Sequence, residues 1–191
     1  ESAVPTIFIM GGSSGASAIN EVVLDALPTL IERYNVVHQT GSANLEEVSS
    51  VASVILKDSR YANRYRSFGL LNALALRMTA GISSLVISRA GSGTIFEIAA
   101  WGIPSILVPI PTEISHAQTE NAFSYARAGA SAVLEQINLT PHLLVAEIER
   151  IMSNKSLHAS MSAAAKAFSR PDAAKKIATI LVETALTHEP L

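Results

Sequence analysis

Three groups of residues have the types and spacing to do chemistry. In "SRAGSGTIFEIAAWG", a Gly-Ser-Gly loop follows an apolar run and opens a helical pattern that carries one acid, Glu97. Backbone N–H groups at such a helix start, with Ser92, Gly93 and Thr94 beside them, form a seat for an anion, and Gly91 and Gly93 permit positive φ. Glu97 has two readings. Thr94-Ile-Phe-Glu97 matches a capping box with Thr94 as N-cap, and a carboxylate can also accept two hydrogen bonds from a ribose diol. Residue chemistry alone favours the cap. The second group, "MGGSSGAS", repeats the design after the first apolar run, with Ser13 in the loop. It serves equally as a tight turn or as a phosphate-facing loop. The third, "PIPTEISHAQTEN", is long for a strand-to-helix connection and carries Gln118 and Asn121 three residues apart. Amides on one helical face suit neutral hydroxyls, being donor and acceptor at once. A merely polar helix start fits them too.

Several chemistries are excluded. The glycines do not space as G-x-G-x-x-G, and the second apolar run ends at His38-Gln39-Thr40, without the acid that a dinucleotide ribose needs. No Gly-Lys-Ser/Thr occurs, so there is no P-loop. The five histidines are scattered and cysteine is absent, which argues against a zinc centre. With a net charge of −2 and no basic block, nucleic acid is no expected partner.

These loops need a scaffold, and the rest of the chain supplies one. Hydrophobic residues are 49% of the 191 and charged residues 16%, enough for a real core. Strands are expected at Thr6–Met10, Asn35–Thr40, Tyr65–Leu70, Leu85–Ser88, Ser105–Val108 and Ser131–Leu134. Helices are expected at Ala16–Tyr34, with Pro28 kinking or splitting it, and at Leu45–Leu56, Ala73–Ala80, Thr94–Trp101 and Gln118–Arg127. From Pro141 to about Ala185 the pattern is helical, broken near Ser153 and Arg170-Pro171. Short, continuously apolar strands alternating with helices predict an α/β, Rossmann-like doubly wound parallel sheet with helices on both faces. One domain over 1–191 is expected, with C-terminal helices from about 141. The ligand loops should then be Gly11–Ser17, Arg89–Thr94 and Pro109–Gln118, beyond the carboxyl ends of the strands. The acidic start and the broken apolar window Leu70–Ser88 predict neither a signal peptide nor a membrane span, so a cytoplasmic domain is expected.

In this order, "GGSSGASAINE", "LVISRAGSGTIFEIAAWGIPSILVPIP", "QTENA" and "YARAGASAVLEQINLT" resemble the C-terminal half of the MurG family, over about Thr6 to Ala185. These are bacterial UDP-N-acetylglucosamine transferases of the GT-B fold, which convert lipid I to lipid II in peptidoglycan synthesis at the inner face of the membrane. The resemblance implies roles for individual residues. Glu97 would hold the ribose hydroxyls, and Ser92, Gly93 and Thr94 would meet the diphosphate and sugar. Ser13 would lie near the nucleotide, and Gln118 with Asn121 would read the N-acetylglucosamine hydroxyls. It implies an inverting transfer without metal or cofactor. An N-terminal acceptor domain, absent from these residues, would bind lipid I, contact the membrane and carry the general base, so the isolated domain should be inactive or nearly so. Two departures stand out: Ala117 replaces a family glutamine, and "YRSFGLLNALALRM" leaves uracil binding placed only near Phe68–Ala73. A stand-alone nucleotide-sugar-binding module, or the catalytic subunit of a two-subunit dolichol-linked N-acetylglucosaminyltransferase, are the alternatives.

Overall fold

Alternate residues of the first strand point to opposite faces of a sheet, and both faces are apolar. Ile7 and Ile9 join one core while Phe8 and Met10 join another. A strand buried on both sides belongs in a parallel sheet covered by two helical layers, and the computed structural model, which describes residues 4–11 and 16–187, has that architecture. Six strands, β1 (Thr6–Met10), β2 (Asn35–Gln39), β3 (Tyr65–Phe68), β4 (Ser83–Ser88), β5 (Ser105–Leu107) and β6 (Ser131–Val133), form one sheet in the order β3-β2-β1-β4-β5-β6. Every pairing is parallel.

Helices α1 (Ser17–Arg33), α2 (Leu45–Ile55) and α6 (Pro141–Met152) cover one face; α3 (Ala73–Ile82), α4 (Ser92–Trp101), α5 (His116–Arg127) and α7 (Lys155–Phe168) cover the other. A last helix, α8 (Ala173–Thr187), has no buried residue.

Three local details differ from, or narrow, what the residues allow. Pro28 does not split α1, which runs unbroken for 17 residues. Pro28 is solvent-exposed, while Leu24, Leu27, Leu30 and Ile31 are buried, and that packing outweighs one lost hydrogen bond. The strand expected to reach Leu70 ends at Phe68, and α3 continues to Ile82, with β4 starting at Ser83. Positive φ is found at Gly41, Gly102 and Gly129 but at neither Gly91 nor Gly93. Gly102 ends α4 in the left-handed conformation, its N–H bonded to the oxygens of Ile98 and Ala99.

Candidate functional site

The strand register sets the site. Met10 lies beside Ser88, and Ser88 beside Leu107, so β1, β4 and β5 end level and release their loops at one edge. From β1 the chain turns towards β2, and from β4 towards β5, in opposite directions along the sheet. The crevice between β1 and β4 is therefore the topological switch point, where ligands of such sheets bind. Residues 12–15 of the loop after β1, including Ser13, lie outside the described residues.

After β4 the chain enters α4 within three residues. Gly91 is the N-cap, in an extended conformation, and no side chain caps the helix. The Thr94–Glu97 capping box is thus overturned: Thr94 is already the third helical residue, and Glu97 lies in the second turn. The helix starts early because Ile95 and Ile98, both buried, fix its register against the sheet. The N–H groups of Ser92, Gly93 and Thr94 consequently point out of the helix end with no partner among the described residues. Ser92 and Gly93 are exposed and Thr94 is half-buried. A Cβ built on Gly93 meets nothing within 4 Å. Glu97 is exposed and makes no hydrogen bond or ion pair among the described residues. It sits three and four residues after Thr94 and Gly93, on their side of the helix. A helix end offering free donors, with a free carboxylate one turn along, matches an anion joined to a diol.

Gln118 and Asn121 do converge on this loop, but partly by holding it. Gln118 Oε1 accepts hydrogen bonds from the backbone N–H of Ala90, at 3.2 Å, and of Ile110, at 3.3 Å. Asn121 Nδ2 donates to the Ala90 carbonyl at 3.3 Å. Arg89 completes the arrangement, Nη1 donating to the carbonyls of Val108 and Pro109 at 3.2 and 3.3 Å. Its half-buried guanidinium is held below its ordinary value by desolvation, and no carboxylate pairs with it among the described residues. Sequence reading singled out Arg89 only as part of a motif; its targets are backbone atoms brought near by folding. Ala117 is exposed beside Gln118. Outward from Ile110, a cavity of about 460 Å³ is lined by Pro109, Pro111, Thr112, Glu113 and the loop after β6.

The region expected near uracil, Phe68–Ala73, leaves the carboxyl end of β3 and is tied to β2. Gln39 Oε1 accepts from the Leu71 N–H at 3.1 Å, and the Thr40 N–H donates to the Phe68 carbonyl at 2.8 Å. His38, also on β2, is fully buried: Nδ1 lies 3.0 Å from the Tyr65 hydroxyl and Nε2 3.0 Å from Asn20 Oδ1. Desolvation lowers its pKa to about 4, so it is a neutral core residue. Among the described residues no group of His, Asp or Glu could hold a metal ion, and no helix is long and apolar enough to cross a membrane.

The six-stranded parallel sheet with its switch-point crevice and the uncapped helix end belong to an α/β, Rossmann-like half of a GT-B-type fold. Residues 6–177 match the glycosyltransferase family 28 C-terminal domain, and the chain belongs to that family. Among curated proteins it is 34% identical over 180 residues to the UDP-N-acetylglucosamine--N-acetylmuramyl-(pentapeptide) pyrophosphoryl-undecaprenol N-acetylglucosamine transferase of Levilactobacillus brevis, covering 93% of this chain and 48% of that protein. The enzyme of the same name from Syntrophotalea carbinolica is 37% identical over 178 residues, covering 91% of this chain and 47% of that one. Among solved structures, Acinetobacter baumannii MurG superposes with a TM-score of 0.80 at 26% identity, over 96% of this chain and 51% of that one. The chain thus spans about half the length of these relatives.

Proposed function

We infer that this chain is the UDP-N-acetylglucosamine-binding half of an inverting N-acetylglucosaminyltransferase that makes lipid II from lipid I in peptidoglycan synthesis. The observation that carries the reading is the convergence, at one switch point, of the uncapped α4 N-terminus, the open Gly93, the exposed Glu97, unpaired among the described residues, and the two amides of α5. The diphosphate lies at the N–H groups of Ser92, Gly93 and Thr94, where the helix dipole favours negative charge. Glu97 accepts both ribose hydroxyls, and Gln118 and Asn121 face the sugar hydroxyls. Ser13 belongs to the loop that meets the nucleotide from β1.

In the transfer, an acceptor hydroxyl oxygen forms a bond to the anomeric carbon as the bond from that carbon to the diphosphate oxygen breaks. The electron pair leaves with UDP, and the hydroxyl proton passes to a base on the acceptor half. The donors at α4 stabilise the charge that grows on the departing diphosphate, and the guanidinium of Arg89 adds a nearby positive charge. No metal or cofactor is required by this scheme. An N-terminal acceptor half binds lipid I and places the enzyme peripherally on the inner face of the membrane. Two facts support its existence: the relatives are about twice as long, and α8 exposes Ile177, Ile180, Leu181, Val182 and Leu186, apolar residues that suit a protein face.

The test is transfer of labelled N-acetylglucosamine to lipid I by the 191-residue chain, alone and joined to the acceptor half of a relative. Transfer only when joined is expected. Full activity from the chain alone would overturn the half-enzyme reading, and binding without transfer in the joined protein would favour a stand-alone nucleotide-sugar-binding module.

A further inference from the structure

The two amides that face the proposed sugar are also fastened to the backbone that carries the proposed diphosphate. The two peptide groups flanking the Ala90 Cα are both held, the N–H of Ala90 by Gln118 and its carbonyl by Asn121. The backbone at 108–110 is held by the same Gln118 oxygen and by Arg89. Ala90 immediately precedes Gly91, the N-cap of a helix that no side chain caps. The direction of α4's first N–H groups therefore depends on these long-range hydrogen bonds rather than on a local cap. Ala90 is itself fully buried, so its peptide cannot turn to water if the bonds are lost.

We propose that Arg89, Gln118 and Asn121 are positioning residues, which lock the Ala90 backbone to the β5–α5 loop and so aim the N-terminus of α4 at the diphosphate. The clamp also sets the polarity of the amides. Gln118 Oε1 is taken by two backbone N–H groups, which leaves only the Nε2 donors for a ligand. Asn121 spends an Nδ2 donor on Ala90 and keeps Oδ1 as an acceptor. Gln118 thus presents only donors to a neighbouring hydroxyl, whereas Asn121 keeps its acceptor and one remaining donor. This inference rests on the UDP-sugar reading above.

UDP has no sugar beyond the diphosphate, so it separates positioning from sugar contact. The experiment titrates the 191-residue chain and its Gln118→Leu and Asn121→Leu variants with UDP and with UDP-N-acetylglucosamine, and follows amide exchange at Ala90 and Ile110. A positioning role predicts that each variant loses about tenfold or more in UDP affinity, and that protection at Ala90 falls in both. Gln118→Glu, which keeps an oxygen for both N–H groups, should restore protection at Ala90 and Ile110. Unchanged UDP affinity with weakened UDP-N-acetylglucosamine binding would overturn the proposal and leave the amides as sugar readers only. Lowered stability with unchanged affinity of the folded protein would overturn it as well. Wild-type protein that binds neither ligand would refute the nucleotide reading, and the positioning role with it; intact protection at Ala90 would then show that the clamp forms without that function.

Discussion

Gly93→Ala separates what the fold needs from what the ligand needs. Gly93 is the second residue of α4, its φ is not positive, and its missing Cβ faces open space. Nothing among the described residues requires glycine there. Alanine in a helix is favoured over glycine by about 0.5–1 kcal/mol, mainly through the unfolded chain. For a domain of this size that raises the melting temperature by roughly 1–4 °C. The same methyl projects into the space where the diphosphate would lie against the helix end. A methyl forced into a filled site costs about 1–3 kcal/mol, so UDP affinity should fall by roughly five- to a hundredfold. Thermal melting and UDP calorimetry on one preparation read both effects, and they should move in opposite directions. A stabilised variant with unchanged UDP affinity would refute placing the diphosphate at α4. A destabilised variant would refute the reading of the local backbone.

Glu97→Gln should weaken UDP binding by about ten- to a hundredfold, the worth of a hydrogen bond to a charged group, while the unfolding free energy from urea titration stays within about 0.5 kcal/mol of wild type, because Glu97 is exposed and unpaired among the described residues; an unchanged affinity would remove it from the site. His38 makes stability depend on pH. Its pKa is about 4 in the fold and about 6.5 in the unfolded chain, so its contribution is complete above pH 6.5. As pH falls from 6.5 towards 4 only the unfolded chain takes up the proton, and stability should drop by about 1.4 kcal/mol per pH unit, roughly 3 kcal/mol in all. Urea midpoints across this range check it: His38→Gln should lose the slope, and a wild-type midpoint flat between pH 7 and pH 5 would contradict the buried network.

The sheet was legible because its strands are buried on both faces. "TIFIM" and "LVIS" are unbroken apolar runs that no amphipathic helix would show. β3 was harder to bound: it is an edge strand with Arg66 and Phe68 exposed, so its pattern fades into the loop. The start of α4 was misread because threonine is a good cap by local chemistry, whereas tertiary packing of Ile95 and Ile98 and the hold on Ala90 decide where this helix begins. The expected helix ends at Trp101 and Arg127 held, and a glycine with positive φ, Gly102 or Gly129, follows close behind each. The site residues were legible as types at spacings. What Gln118, Asn121 and Arg89 bond to was not, because their partners are backbone atoms that carry no sequence signature.

The proposed ligand of the crevice between β1 and β4 is a uridine diphosphate sugar. Calorimetric titration of the 191-residue chain with UDP-N-acetylglucosamine, UDP and NAD tests it directly. Saturable one-to-one binding of the first two, weakened together in Glu97→Gln, and no heat with NAD are expected. A folded chain that binds NAD more tightly than UDP, or binds neither UDP ligand, would contradict it.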